Sequence, residues 1–416
     1  MPLSLPNHGS GIVGFLGLEN LFYNDHMLTL EAKLRGKPVQ YQALDEAIRT
    51  AQFIRNKALR VWMDTRGIGR YELQRLCAEL AEAYEWAGKL NSMARQASAD
   101  RAWQAIARFY DNCKQKKPGK KGFPRFKKRN RSVEYKTSGW KLSEDRSRIT
   151  FTDGFKVGTL KLIGTRDLHG YPKDQIKRVR VVKRADGYYC QFSLDVDRTV
   201  VHEPTGGAVG IDLGLEFFYT DSDGKTAANP RLLRYQQKQL RRRQRAVSQK
   251  VKGSKNRRKA INRLGRKHLQ LQRQRKDFAV QAARALVQSH DMVAFEDLQV
   301  RNMVRNHRLA KAIHDAAWSQ FRAWLEYYGK LHGIPVVAVP PPYTSQDCSG
   351  CGTRVTKSLS TRTHSCPKCG MVLHRDHNAA RNILAKGLQL LNTEGHSGIN
   401  AWGDKTAMYS LATVGA

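Results

Sequence analysis

Acidic side chains are scarce in this chain of 416 residues: 36 Asp and Glu stand against 73 Lys and Arg, a formal net charge of +37. An excess of that size exceeds what an ordinary solvated surface carries, and it reads as an electrostatic footprint for DNA or RNA. The rival polyanion is a membrane surface, but no apolar run approaches the ~20 residues that cross a bilayer. Cysteine is sparse and odd in number, seven in all. That count excludes a complete disulfide framework and points to a reducing, cytoplasmic setting. Basic residues are themselves missing before Lys33, so the apolar stretch from Gly11 to Leu18 lacks the flank of a signal peptide. Residues 1–26 are expected to stand outside the fold, with translation, or at least the folded part, beginning near Met27.

Against this scarcity, three acids sit where acids are costly. Asp212 follows Val209 and Ile211, and Glu296 follows Val293 and Phe295, so both are placed at the ends of apolar strands. Asp376 opens an Ala-rich helix. Burying a carboxylate is unfavourable unless something positive meets it. Three such acids from distant parts of one chain suit hard divalent cations, Mg2+ or Mn2+, which take carboxylates together with water and phosphate oxygens. Two ions ~4 Å apart would support in-line phosphodiester hydrolysis. Asp212 is then the expected bridging ligand, with Glu296 and Asp376 each holding one ion, while Asp297 and Asp315 are expected to be structural.

The four remaining chemistry-bearing side chains are Cys348, Cys351, Cys366 and Cys369, two CxxC pairs separated by 14 residues. Four thiolates at this spacing predict a closed, tetrahedral, structural zinc site rather than a redox pair. Gly350, Gly352 and Gly370 permit the tight turns, and the ribbon is expected to brace the loop that delivers Asp376. His364 and His374 are surplus to the ligand set.

Periodicity supplies the frame. A strand near 27–34 precedes helical spacing over 40–112, broken at residues 65–69, and strand alternation follows from 148 to 195. There Tyr188, Cys190, Phe192 and Leu194 share one face, and Asp186-Gly187 provides a hairpin turn. Residues 113–131 hold ten basic and no acidic side chains, interleaved with Phe123 and Phe126. Residues 231–276 hold nineteen basic and no acidic ones, broken at Gly253-Ser254 into a helical hairpin. Basic runs of this kind read as nucleic-acid contacts. The expected contacts are Lys120, Lys121, Phe123, Arg125, Phe126, Lys127, Lys128 and Arg129 in the first run. In the second they are Arg241, Arg242, Arg243, Lys255, Arg257 and Arg258. From residue 208 onward the order strand, strand, helix, strand, helix, strand, helix fits a ribonuclease-H-like α/β fold, with the three acids at one sheet edge.

The expected architecture is α/β and multidomain. A small β-barrel (27–38 and 113–203) carries an inserted helical domain (39–112). A nuclease domain (204–342 and 371–390) carries the basic hairpin (229–290) and an inserted zinc ribbon (343–370), and a flexible tail (391–416) closes the chain.

In that order GIDLGL, FEDL, CSGC, CPKCG and RDHNAARNIL resemble the RuvC-type nuclease of TnpB proteins, which insertion sequences encode and which are related to type V CRISPR effectors. GFPRFKKR at 122–129, KGSKNRRKA at 252–260, QRKDFAVQAARALV at 274–287 and INAWGD at 399–404 extend the resemblance to nearly everything from Met27 onward. It implies a prokaryotic, nucleoid-associated, RNA-guided DNA endonuclease whose partners are a guide RNA from the transposon end and double-stranded target DNA, with no small-molecule substrate. It implies that Asp212, Glu296 and Asp376 are catalytic, that the four cysteines hold zinc, and that a wedge-like barrel and the helical domain grip RNA and target. The chain departs from the family at His374, where a further Asp is usual before Arg375-Asp376. Guide pairing reads sequence while the protein holds the duplex by its backbone, which accounts for the charge. Three rivals are a cleavage-deficient RNA-guided repressor, an accessory transposase acting directly on transposon ends, and a guide-free junction resolvase.

Overall fold

A computed structural model describes residues 27–164, 168–358 and 360–394. The N-terminal extension and the INAWGD segment lie outside the described residues. The chain divides into two compact units at Arg198/Thr199.

The first unit begins with β1 (Met27–Arg35), followed by α1 (Pro38–Asp64), α2 (Arg70–Ala83), α3 (Glu85–Gly88) and α4 (Ser92–Lys114). Pro38 starts α1, where its missing N–H costs nothing. Asn91 caps α4 by accepting the Met93 N–H at 2.9 Å. Strands β2 (Ser132–Tyr135), β3 (Trp140–Leu142), β4 (Arg148–Phe151), β5 (Gly158–Ile163), β6 (Ile176–Arg184) and β7 (Gly187–Asp195) complete it. They form a seven-stranded sheet in the order β2-β6-β7-β1-β5-β4-β3. The order is open at β2 and β3, so the expected small barrel takes the form of a half-barrel. The apolar faces of α1 and α4 supply what closure would have: Leu44, Ile54 and Ile106 join Leu30, Phe192 and Leu194 in one continuous core. The helices and the sheet therefore share their interior. Two details differ from the periodicity. The β6–β7 turn is Ala185-Asp186, because Arg184 pairs with Gly187. Tyr189, on the face opposite Cys190, is also buried: its hydroxyl donates to Asp186 at 2.7 Å, and Arg184 covers its ring.

The second unit holds β8 (Ala208–Leu213), β9 (Phe217–Asp221), β10 (Thr226–Ala228), α5 (Leu232–Ser248), α6 (Lys255–Gln288), β11 (Met292–Glu296), α7 (Val300–Met303), α8 (His307–Ala316), α9 (Trp318–His332) and β12 (Val336–Val339). The ribbon hairpin β13 (Thr363–Ser365) and β14 (Val372–His374) follows, and then α10 (Arg375–Glu394). The main sheet has the order β10-β9-β8-β11-β12. Here β8–β10 run antiparallel to one another, while β8, β11 and β12 are parallel. Short β10 and the helices between 300 and 316 escaped the sequence reading. Helices α8 and α9 are separated by Ala317, which takes a left-handed φ of 57°.

Helix α10 lies against β8 at van der Waals distance because both surfaces are small. A Cβ on Gly210 would stand 2.2 Å from the Ala380 carbonyl oxygen, and one on Gly387 would stand 2.5 Å from Ala294 Cβ. On the other face, Phe218 makes edge contacts with Phe278 of α6 and Phe321 of α9 at 4.7 and 5.0 Å.

Candidate active site

Strands β8 and β11 run parallel with Ile211 opposite Phe295, so the next residue of each, Asp212 and Glu296, emerges at the same end of the sheet. Helix α10, held on β8 by the Gly210 contact, delivers Asp376 from its first turn to that end. Glu296 and Asp376 are buried at 9% and 6% exposure. Desolvation pushes the Asp212 carboxyl well above the usual carboxylate range. The negative charges of Glu296 and Asp376 push it further, while Arg375 and Arg362 oppose them. Burial likewise raises Glu296, against the Thr344 hydroxyl, which donates to its carboxylate, and the charge of Lys386. Asp212 thus feels the charge of both other acids, and burial holds it and Glu296 above the ordinary carboxylate range. That donor set fits hard divalent cations. Among the described residues, the four cysteines are the group of three or more such side chains whose ligand atoms all lie within 4.8 Å of one another.

Asp376 has cationic neighbours. Arg375 Nε lies 3.2 Å from it and Arg362 Nη1 3.8 Å, and Arg362 also reaches Glu216 at 3.4 Å. His374, at the site of the family departure, accepts the Asp376 N–H at Nδ1 over 3.3 Å and so satisfies an open donor at the start of α10.

The cysteines form two matching turns. Gly352 N–H donates to the Cys348 carbonyl at 2.9 Å, and Gly370 N–H donates to that of Cys366 at 3.0 Å. Cys348 and Cys369 sulfurs are 3.6 Å apart, and those of Cys351 and Cys366 are 3.5 Å apart. A tetrahedron with Zn–S bonds of ~2.3 Å has edges of about 3.8 Å, so the four sulfurs fit zinc. The Thr353 hydroxyl and N–H hold the Cys351 thiol down at about 6, which favours the thiolate a metal needs.

Two residues that the sequence reading quoted but did not assign tie this ribbon to the acids. Asn378, fully buried on α10, accepts the Ser349 N–H at 2.9 Å and donates to the Asp347 carbonyl at 2.8 Å. Asn382, one turn later, donates to the Thr344 and Asp347 carbonyls at 2.8 and 2.7 Å. Their i, i+4 spacing two residues after Asp376 was the available signal. Asp315 and Asp297 serve the scaffold. Asp315 accepts from the Leu233 and Arg234 N–H groups that begin α5 and from Arg275 at 2.8 Å, which anchors the root of the basic hairpin. Asp297 pairs with Arg322.

The basic runs are more structured than free arms. Asn56 exchanges two 2.9 Å hydrogen bonds with the Lys127 backbone, and Arg55 donates to the Arg125 carbonyl at 3.3 Å. The loop is thereby laid along α1, with the side chains of Lys120, Arg125, Phe126, Lys127, Lys128 and Arg129 exposed and Lys121 half-buried. Phe123, half exposed, packs against Trp62 and Phe109 and so anchors the loop as well. In the hairpin, Arg241, Arg242, Lys255 and Arg258 are exposed. Arg257 instead donates to the Val247 and Lys250 carbonyls at the end of α5, and Arg243 donates to the Arg263 carbonyl. No helix among the described residues is long and apolar enough to cross a membrane.

Residues 191–307 match a family model described as "Probable transposase" (OrfB of IS605), and residues 318–383 match the TNB domain of Cas12f1-like proteins. A relative from Streptomyces pristinaespiralis, named "Putative RNA-guided DNA endonuclease", is 33% identical over 86% of this chain and 89% of its own. A relative of the same description from Escherichia coli K12, InsQ, is 33% identical over 69% and 73%. Among solved structures, a Cas12f1–sgRNA–target DNA complex shares the fold at a TM-score of 0.51 and 16% identity, over 83% of each chain. The mini-RNA-guided endonuclease Cas_phi3 shares it at 0.50 and 10% identity, over 86% of this chain and 92% of its own.

Proposed function

This chain belongs to the TnpB family of RNA-guided DNA endonucleases of insertion sequences, and from that premise we propose that it hydrolyses DNA phosphodiester bonds at Asp212, Glu296 and Asp376. The second unit is then a ribonuclease-H-like nuclease domain with the zinc ribbon inserted before α10. The observation that carries this reading is the convergence of three acids from β8, β11 and α10 on one corner, where burial raises Asp212 and Glu296 and the charges of Glu296 and Asp376 raise Asp212 further.

Mg2+ or Mn2+ bound by these three side chains would supply the Lewis acidity that activates a water and stabilises the leaving 3′ oxygen. Asp212, which feels both other acids, would hold the ions together with them. Glu296 and Asp376 flank it from the neighbouring strand and from the helix. Thr344 fixes the Glu296 carboxylate, and Asn378 and Asn382 lock the ribbon and the 344–347 loop to α10, so the acids are oriented before substrate arrives. Arg362 and Arg375 place positive charge beside Asp376, where a bound phosphate would come.

The RNA comes from the transposon end and pairs with one strand of double-stranded target DNA. The exposed cations of the 120–129 loop and of Arg241, Arg242, Lys255 and Arg258 contact the backbones of these nucleic acids. Of the other candidates, Phe123, Arg243 and Arg257 shape those surfaces.

The test co-expresses the chain with RNA from its transposon end, the guide rewritten to match a plasmid whose target is flanked by randomised sequence. Guide-dependent cutting with a selected flank is expected, and Asp212→Ala should bring cutting to background while target binding persists. Guide-dependent binding with no cutting by the wild type would move the chain to the repressor class. Cutting of transposon ends without RNA would make it a transposase.

A further inference from the structure

On the first unit a groove of about 450 Å³ runs along α1, lined by Arg49, Gln52, Phe53, Asn56, Lys57 and Arg60. From Arg49 to Arg60 this stripe covers about 16 Å at ~1.5 Å per residue. Gln52 and Asn56 serve the scaffold. Gln52 accepts the Asn130 N–H at 2.5 Å and Asn56 holds the Lys127 backbone, so the exposed Lys127, Lys128 and Arg129 lie beside the groove. The three cations of the groove are left for a ligand. Arg49 and Arg60 pair with Glu46 and Asp64 one turn away on the same helix, and exposed pairs of this kind contribute little and yield to a stronger anion. Lys57 lies over the Phe53 ring at 5.7 Å. Phe53 in turn carries the groove onto an aromatic step, meeting Trp86 at 4.7 Å and Tyr84 at 5.3 Å, both edge-on. Those two rings are 43% and 37% exposed, and Glu85 between them pairs with Lys89 at 3.3 Å. Tryptophan is ordinarily among the more buried side chains. One that is fixed by its neighbours, open to solvent and bordered by cations combines the two parts of a single-strand site, a π-face and a phosphate track.

Resting on the nuclease reading above, we propose that this groove takes an unpaired segment of the guide RNA, its phosphates along Arg49, Lys57 and Arg60 and one base stacked on Trp86. Charge selects a polyanion, since three cations and no carboxylate line the groove. The aromatic step then selects among polyanions. A base stacks on a protein ring only where its own face is free. Target DNA arrives as a duplex whose bases stack on one another, whereas a folded RNA offers free faces in loops, bulges and ends. Stacking accepts any base, and the amides that could have read base edges are occupied by the loop backbone. The groove therefore recognises an unpaired stretch by its shape and charge rather than by its sequence.

The test uses the purified full-length protein and its transposon-end RNA, at first without target DNA. Affinity is measured across a salt series, and unpaired nucleotides are mapped by chemical probing of free and bound RNA. Trp86→Ala should weaken binding about tenfold, the order expected for one base–aromatic stack. An unpaired nucleotide that the wild type protects should become reactive again, and Trp86→Phe should restore its protection. Lys57→Gln combined with Arg60→Gln changes two exposed side chains and leaves the core intact. It should lower the slope of log affinity against log salt by about 1.4, two phosphates at ~0.7 each. Unchanged affinity and footprint in Trp86→Ala, or an unchanged slope in the double variant, overturns the site. An RNA footprint untouched by the variants, with protection of added target DNA lost instead, also overturns it and assigns the groove to DNA. The nuclease reading fails separately, since a wild type that protects this nucleotide and never cuts a guided target sinks that reading and leaves the RNA site standing.

Discussion

Thr344 shows how much a single hydroxyl contributes at the acid corner. It donates to Glu296, with the Pro341 carbonyl also within 3.0 Å, while burial drives the Glu296 carboxyl upward. Thr344→Val keeps the shape and removes the donor. Losing a hydrogen bond that orients a metal ligand weakens metal sites by roughly 10- to 100-fold. The Mg2+ concentration for half-maximal cleavage should rise by about tenfold, read from a metal titration of cleavage rate, with the zinc content unchanged. The raised carboxyls also fix the sign of the pH dependence. Protons bound to Asp212 and Glu296 compete with the ion, so the Mg2+ requirement of the wild type should fall as pH rises above the ordinary carboxylate range of about 4. A requirement that is flat with pH would contradict this account.

Two elements depend on a single close approach or charge. Helix α10 can deliver Asp376 because β8 carries Gly210 where the helix backbone passes, with Ala380 O and Leu384 N inside the space of a Cβ. Gly210→Ala forces the helix off the sheet. Overpacking of this sort costs about 1–3 kcal/mol. A shift of ~1 Å in Asp376 can cost roughly 100-fold in rate. Cleavage should fall further than the melting temperature implies, which comparing the two measurements tests. In the first unit, buried Asp100 on α4 binds Arg70 and Gln74 of α2 at 2.9 Å and Lys136 after β2 at 2.8 Å. Burial acts to raise its pKa, but these donors prevail and hold it at about 2. A carboxyl held lower in the folded state stabilises it above the unfolded value of ~3.9, and that stability is lost as pH falls through about 2. Asp100→Asn should remove on the order of 2 kcal/mol at neutral pH. It should also flatten the acid limb of a melting curve recorded against pH.

Across the whole molecule, the four-cysteine cluster and the three acids lie apart and are joined by α10. Stripping zinc with a chelator, or Cys366→Ser, should release the knuckle that Asn378 grips at Ser349. Cleavage should then drop sharply while RNA binding, which depends on basic surface spread over both units, changes little. Equal loss of both activities would show that the ribbon holds up more than the acid corner. The same separation of roles explains the charge. Exposed cations dominate the 120–129 loop and the hairpin, yet the acids that the chain does have are spent at fixed points, Asp315 at the root of the hairpin and Glu134 beneath Arg178 and Arg180.

Local chemistry determined much of this protein without reference to its fold. Strand alternation around Cys190, the CxxC pairs, the strand-borne Asp212 and Glu296 and the acid-free basic runs are properties of short segments, and periodicity and spacing expose them directly. Contacts between distant segments are invisible to any such window. Tertiary structure alone decided that α1 and α4 fill the interior of the half-barrel, that Arg257 hydrogen-bonds the end of α5 while half-exposed Phe123 packs on Trp62 and Phe109, and that Ala317 separates α8 from α9. It also decided that Asn378 and Asn382 clasp the ribbon. Each of these depends on which surfaces meet in space, and that is set only once the whole core has packed.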